Sequence, residues 1–155
     1  MSNNVINYIQ AFIEARNLTQ IIVGSQVYKV NQKLSEFINQ LCLMQGTTMV
    51  GRKDAMKKTQ QITQKIPIYI QEGLFLFPTV SGKAVDCIWI NYFNVRKVII
   101  HDYYRTEVLF KDNSSIDIWI NHRIIRKQMN RCKRYVKFLE HQADISFIQN
   151  GKVLI

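Results

Sequence analysis

Residues 121–142 read NHRIIRKQMNRCKRYVKFLEHQ. Seven of them are basic, namely Arg123, Arg126, Lys127, Arg131, Lys133, Arg134 and Lys137, and no acid interrupts them before Glu140. At about 100° per residue, Ile125, Met129, Cys132, Val136 and Leu139 fall within one narrow arc, with every basic residue on the opposite side. That separation predicts an amphipathic helix whose apolar stripe docks on a core while its other face meets water or a partner. Asn121 suits the N-cap, because its side chain can accept from the free amides of the first turn. A face that serves solubility alone mixes Lys with Glu at i,i+4. Unmixed positive charges repel one another unless an anion neutralises them, so this face is read as turned toward a polyanion.

A helix with one apolar stripe needs a layer to dock on, and residues 66–120 supply β-rich runs for it. Strands are expected at 66–70, 74–77, 87–91, 95–101, 105–110 and 115–120, with turns at 71–73 and 111–114. Pro67 and Pro78 each remove an amide and suit strand ends or edges. Further toward the N-terminus, residues 18–23 and 26–30 read as a hairpin around Gly24-Ser25. Residues 33–45 switch period, with Leu34, Phe37, Ile38, Leu41 and Met44 at helical spacing and Gly46 as the stop. Residues 2–16 fit either a short helix or a strand, and the spacing of Val5, Ile6, Ile9, Phe12 and Ile13 favours the helix. Residues 51–65, GRKDAMKKTQQITQK, fit either a loop or a frayed helix. After Gln142, Gly151 marks a turn before an apolar end. The expected fold is α+β: one mainly antiparallel sheet, a helix before it and the basic helix after it, in a single domain over residues 1–155.

The formal net charge of +10 on 155 residues is concentrated rather than spread. Residues 51–65 carry five basic side chains against one acid, and residues 123–155 carry eight against two, whereas 66–122 carry five against six. Two basic blocks around a near-neutral middle form a footprint for an anionic partner. Cys42, Cys87 and Cys132 are three and far apart, with no CxxC pair, so neither a zinc site nor a disulfide framework is indicated. The start of the chain lacks a basic segment followed by an apolar run, and no stretch is long and apolar enough to span a bilayer. A cytoplasmic protein is expected.

Catalytic and cofactor chemistry find little support. Residues 46–53, GTTMVGRK, have the outline of a phosphate loop, but Arg follows Gly51 where Lys is required, and Asp54 stands where a magnesium-binding hydroxyl is needed. His101, His122 and His141 are isolated, without metal-ligand spacing. Ser81 in PTVSG is not a nucleophile elbow. Asp102, Glu107, Asp112 and Asp117 recur at every fifth residue, which is expected to alternate their faces rather than converge them on metal ions. No enzyme, no cofactor and no metal site is expected. The aromatics of the β region, Tyr69, Phe75, Phe77, Trp89, Tyr92, Phe93, Tyr103, Tyr104, Phe110 and Trp119, are read mostly as core. Phe138 is assigned to the core or an interface.

Several short motifs occur in a fixed order: Gly51-Arg52-Lys53, Lys65-Ile66-Pro67-Ile68, Leu74-Phe75-Leu76-Phe77-Pro78-Thr79 with Ser81, Cys87-Ile88-Trp89-Ile90-Asn91, and Thr106-Glu107-Val108-Leu109-Phe110. Together they resemble the ComK family, the competence transcription factors of low-GC Gram-positive bacteria, over residues 32–142. The resemblance implies a DNA-binding transcriptional activator of competence genes acting on A/T-rich promoter boxes. It also implies homo-oligomers that span paired boxes and control by an adaptor and a protease. The part before Gly51 reads as shorter than in the family, and the family's C-terminal tail is nearly absent. DNA binding therefore carries over more directly than activation or regulated degradation.

The candidate DNA contacts are Arg52, Lys53, Lys57, Lys58, Arg123, Arg126, Lys127, Arg131, Lys133, Arg134 and Lys137. Most are expected on phosphates, where they position the protein without reading sequence. Arg52, beside Gly51, is the candidate for insertion into a narrow minor groove. An RNA-binding module that stacks bases on sheet aromatics, and a domain that binds an acidic protein through the same helix, are the alternatives.

Overall fold

The structure, a computed structural model, describes residues 6–12, 15–84, 86–144, 148–149 and 152–153. Strands β1 (Ile6–Phe12), β2 (Ala15–Val23) and β3 (Gln26–Val30) open the chain, followed by helices α1 (Leu34–Leu43) and α2 (Met49–Gln60). Strands β4 (Ile68–Gln71), β5 (Leu74–Pro78) and β6 (Ile88–Asn91) lead to a single 3-10 turn at Tyr92–Asn94. Strands β7 (Val95–Asp102), β8 (Arg105–Phe110) and β9 (Ser115–Ile118) precede the long helix α3 (His122–Asp144), and a small ladder joins β10 (Ile148–Gln149) to β11 (Lys152–Val153). The fold is α+β with antiparallel sheets, as the sequence leads one to expect. Gly151 lies outside the described residues.

Two expectations change. Instead of forming one sheet, strands β1 to β9 form two, a six-stranded sheet in the order β3-β2-β1-β6-β5-β4 and a three-stranded sheet β7-β8-β9. They part at the 3-10 turn, where the chain leaves β6 and redirects. The second change is β1, a strand where the apolar spacing favours a helix. It lies in the interior of the larger sheet, pairing Tyr8 and Ile9 with Ile22 and Ile21 on one side and with Ile90 and Trp89 on the other. Asn7 and Ile9 are buried while Tyr8 is half-buried, an alternation of period two. Two ladders of backbone hydrogen bonds outweigh a weak helical spacing. Of the expected helix's apolar positions, Val5 and Ile13 lie outside the described residues.

Strand β5 is buried along its whole length. Its side chains alternate between two cores, as a strand's must. Phe75 and Phe77 point into one with Ile90, Val108, Phe110, Ile118, Met56 and the α3 residues Ile125, Cys132 and Tyr135. Leu74 and Leu76 point into the other with Ile9, Ile38, Cys42, Ile68, Ile70 and Trp89, under α1. The six-stranded sheet is thus covered on both faces around β5, while β3 at its edge is exposed. Each fully buried Phe, Leu or Ile contributes roughly 1.5–3 kcal/mol.

Two buried amides stitch these layers. Asn91 accepts at Oδ1 from the Phe75 and Phe93 amides, at 3.1 and 3.3 Å, and its Nδ2 donates to the Ile6 and Gly73 carbonyls at 2.8 and 2.9 Å. It joins β1, the β4–β5 turn, β5 and the 3-10 turn through one side chain. Gln128 sits on the docked face of α3, 1 % exposed. Its Nε2 donates to the carbonyls of Lys65 (2.9 Å) and Pro78 (2.8 Å), fixing the helix along the six-stranded sheet.

Asn91→Ala removes the partner of the Phe75 and Phe93 amides and of the Gly73 carbonyl, while the Ile6 carbonyl keeps its bond from Asn94, and at ~1–3 kcal/mol per orphaned buried group we expect a loss of ~3 kcal/mol or more in urea unfolding. A loss below ~1 kcal/mol would show that water replaces the amide without difficulty. For Gln128→Met, which keeps the volume but removes the donor, the expected cost is ~1–3 kcal/mol, read in the same experiment.

Candidate nucleic-acid interface

Helix α3 begins as the sequence predicts. Asn121 Oδ1 accepts from the Arg123 amide at 2.9 Å, and Asn121 Nδ2 donates to the Tyr103 carbonyl at 2.8 Å. One residue thereby caps the helix and ties its start to the tip of the β7–β8 hairpin. Ile125 and Cys132 are buried, and Met129, Val136 and Leu139 pack against the core from half-buried positions. Tyr135 also docks, at the edge of the expected stripe, and Phe138 stacks on it with ring centroids 5.9 Å apart. Arg123, Arg126, Lys127, Lys133, Arg134 and Lys137 are exposed on the other face.

Helix α2 resolves the ambiguity of residues 51–65. Thr48 caps it, accepting at Oγ1 from the Gly51 amide at 2.9 Å, and Gln61 ends it in the left-handed region at φ 53°. Lys57 and Lys58 lie in its last turn, where the helix dipole favours cations. The end of α2 faces α3 across an open groove of ≈ 690 Å³. Gln60, Gln61 and Ile62 form one wall, and Arg123, Arg126, Lys127, Asn130, Arg131 and Arg134 form the other. Five cations line it and, among the described residues, no carboxylate does.

Arg131 differs from its neighbours in being half-buried. Its Nη1 donates to the Gln64 carbonyl at 3.1 Å and to Gln128 Oε1 at 3.0 Å. Burial first, and then the nearby Arg134 charge, lower its pKa from the usual arginine value. Arg131 thus links the buried Gln128 anchor to the groove.

The remaining candidates are distributed differently. Arg52 folds back onto the protein: Nη2 donates to the Ile70 carbonyl at 3.3 Å, and the guanidinium lies 6.0 Å from the Tyr69 ring centroid. Its Nε is buried without a hydrogen-bond partner. Lys53 and Lys57 turn to a second groove on another side of α2. Lys58, Lys133 and Lys137 are exposed and line neither groove.

Three aromatics expected in the core lie outside it. Tyr103, Tyr104 and Trp119 are 67, 70 and 74 % exposed. Tyr103 and Tyr104 form the β7–β8 turn with their rings 4.7 Å apart, and Trp119 lies just before the α3 cap. Their place in a two-residue turn and at a strand end was the signal available, since such positions lack a buried face. Gln128 gave none, because a glutamine on an apolar stripe reads as a break in the pattern.

The carboxylates do not gather as a set. Asp112 accepts from Asn7 and Asp102 accepts from the Tyr104 amide. Glu107 and Asp117, however, are direct cross-strand partners on one face, and with His101 they place ligand atoms within 4.8 Å of one another. Strand pairing overrides the alternation expected from their spacing, because register sets which residues meet. His101 Nε2 lies 2.8 Å from Glu107 Oε1 in an exposed pair. Hydrogen bonds from Ser115 and then His101 hold Glu107 below the ordinary carboxylate range. Burial raises the thiol pKa of Cys42, Cys87 and, most strongly, Cys132, so each behaves as a small apolar residue. Among the described residues, no helix is long and apolar enough to cross a membrane.

Comparison with known proteins agrees with the motif order. The competence transcription factor of Bacillus subtilis (strain 168) is 27 % identical over 121 residues, a match that covers 77 % of this chain and 63 % of that protein. The chain thus spans under two thirds of its relative's length. No solved structure matches significantly. The family model for the ComK protein matches residues 4–144, so the likeness extends beyond residues 32–142 to take in the first hairpins. From β1 to the last turn of the basic helix, the chain belongs to the ComK family.

Proposed function

We propose that this chain is a DNA-binding transcription factor that activates competence genes from A/T-rich promoter boxes. The observation that carries the reading is the α2–α3 groove, whose α3 wall sets five cations side by side with no carboxylate among the described residues of its lining. A duplex bears one phosphate charge per ~1.7 Å of axis, so a helix face of this kind meets several phosphates at once. Arg123, Arg126, Lys127, Arg131 and Arg134 hold phosphates in the groove, while Lys133 and Lys137 extend the contact along α3. Lys53, Lys57 and Lys58 add a second line of contacts from α2. The protein acts in the cytoplasm, at the nucleoid.

Selection of A/T-rich boxes calls for an arginine in a narrow minor groove, where the negative potential is enhanced. Arg52 is the first candidate, and to reach DNA its guanidinium must leave the Ile70 carbonyl and Tyr69. Arg126 needs no such release: it is exposed in the groove and makes no hydrogen bond among the described residues. Family likeness further suggests homo-oligomers across paired boxes and control by an adaptor and protease. Exposed Tyr103, Tyr104 and Trp119 beside the α3 cap are stacking surfaces that an RNA binder also uses, which makes single-stranded RNA the necessary control.

Titration into A/T-rich duplex, G/C-rich duplex and single-stranded RNA at several salt concentrations tests the reading. With six or more phosphates neutralised, log K against log salt should fall with a slope of about −5 or steeper on duplex DNA. Equal affinity for all three would leave only a nonspecific polyanion binder. Lys133→Ala should weaken both duplexes equally, whereas Arg52→Ala should reduce the discrimination between them. Should Arg52→Ala scale both affinities alike, the groove-reading role passes to Arg126.

A further inference from the structure

The second groove lies between the start of α1, helix α2 and the loop that joins β5 to β6. Its volume is ≈ 940 Å³, near the top of the ~300–1,000 Å³ range of small-ligand sites. Lys33, Lys53, Lys57, Lys65 and Lys83 line it, and among the described residues no carboxylate does. Ile66, Pro78 and Trp89 are the buried members of its lining. These lysines come from four places in the chain, so the cluster is built by the fold rather than by a run of sequence.

The loop is pressed onto its floor. A Cβ on Gly82 would sit 2.9 Å from Trp89 Cζ2, so only glycine lets the Ser81-Gly82-Lys83 backbone lie on the indole. That approach brings Lys83 close enough to Lys53 for their charges to interact. Burial, then Lys57, then Lys83 lower the Lys53 pKa from its usual value. The Trp89 Nε1 is buried and has no hydrogen-bond partner. Crowded ammonium groups without a counter-charge cost stability, and a multiply charged anion removes that cost.

We propose that this groove is a phosphate-binding site, distinct from the α2–α3 groove, that takes a compact run of phosphates. Lys53, Lys57 and Lys83 hold the anion, and Lys33 and Lys65 add their charge from the same lining. The phosphates come either from a free polyphosphate or nucleotide or from a DNA backbone that crosses α2. The site stands whether or not the chain binds promoter DNA, because a small anion suffices to fill it.

Calorimetric titration of the full chain with inorganic tripolyphosphate at low salt tests the site. Saturable binding with one ion per chain is expected. The pair Lys53→Gln/Lys83→Gln should weaken it on the order of tenfold or more, given the loss of two close charges. The pair Arg126→Gln/Arg134→Gln, on the other groove, should change it by less than about twofold, as distant exposed charges are screened. Equal losses in both pairs, or no saturable binding by a wild-type chain shown to be folded by circular dichroism, would overturn the proposal. A DNA arm separates the two sources. If DNA phosphates fill the groove, the lysine pair lowers the salt slope by about 2 and tripolyphosphate competes with duplex. If a free polyphosphate fills it, the pair lowers the DNA slope by no more than about 1, the share of Lys53 alone, and both ligands bind together. Either pattern supports the site, and a lysine pair that alters neither ligand's binding refutes it.

Discussion

Strand β5 has no solvent-facing side, and that constraint shapes the rest of the molecule. The run Leu74-Phe75-Leu76-Phe77-Pro78 is buried throughout. A strand of this kind must be covered twice, since apolar side chains leave both of its faces. Helix α1 lies over the Leu74 and Leu76 side, while α3 and the smaller sheet lie over the Phe75 and Phe77 side. The 3-10 turn after β6 makes this possible, because it lets β7, β8 and β9 leave the first sheet and contribute Val108, Phe110 and Ile118 to the second core. Asn91 stands at that departure and satisfies the backbone groups the change of direction would otherwise strand. The position of the basic helix is therefore a consequence of hydrophobic coverage, and its outward face is what remains.

Charge follows the same logic. On α3 the cations occupy the face that burial leaves free, its acids come only at the far end from Glu140 on, and three acids of the smaller sheet are engaged locally: Asp112 with Asn7, Glu107 with His101, Asp102 on its own hairpin. No salt bridge therefore neutralises either groove from within the described residues, where one ion pair is found, on the far sheet. Burial of a hydrophobic stripe can hold such a helix in place against its own repulsion, because each well-buried residue contributes more than a screened pair of like charges at the surface takes away. A protein of this construction carries an uncompensated field into two places, and both border α2.

Much of this was legible in the sequence, for identifiable reasons. The α3 stripe, the Gly24-Ser25 hairpin and the period switch of α1 each rest on local periodicity or turn chemistry, and each matches an observed element. What was missed depends on partners distant in the chain. The strand β1 is fixed by pairing with β6, more than seventy residues away, and nothing within its own span announces that. The meeting of Glu107 with Asp117 is a matter of register. Arg52 looked free because it follows a glycine, yet its reach to the Ile70 carbonyl exists only once α2 lies beside β4. The lysine groove was invisible for the same reason: Lys33, Lys65 and Lys83 are unremarkable singly and become a cluster only when three loops converge. The family motifs, concentrated after Gly51, likewise left the first hairpins outside the likeness that the family match includes.

The buried amides carry the argument one step further. Hydrophobic contacts alone allow a helix to slide or roll by a residue at small cost, since apolar surfaces are tolerant of shape. Gln128 removes that freedom, because its two donors fit the Lys65 and Pro78 carbonyls in one register only. Arg131, three residues on, is bonded to the same amide and to Gln64. A shift of α3 would break these bonds together and would also carry Arg126 and Arg134 away from the end of α2. The groove's spacing is thus set by hydrogen bonds in the interior rather than by the cations that line it. Mutual repulsion would drive those cations apart, so a charged surface of defined geometry needs its register fixed from beneath.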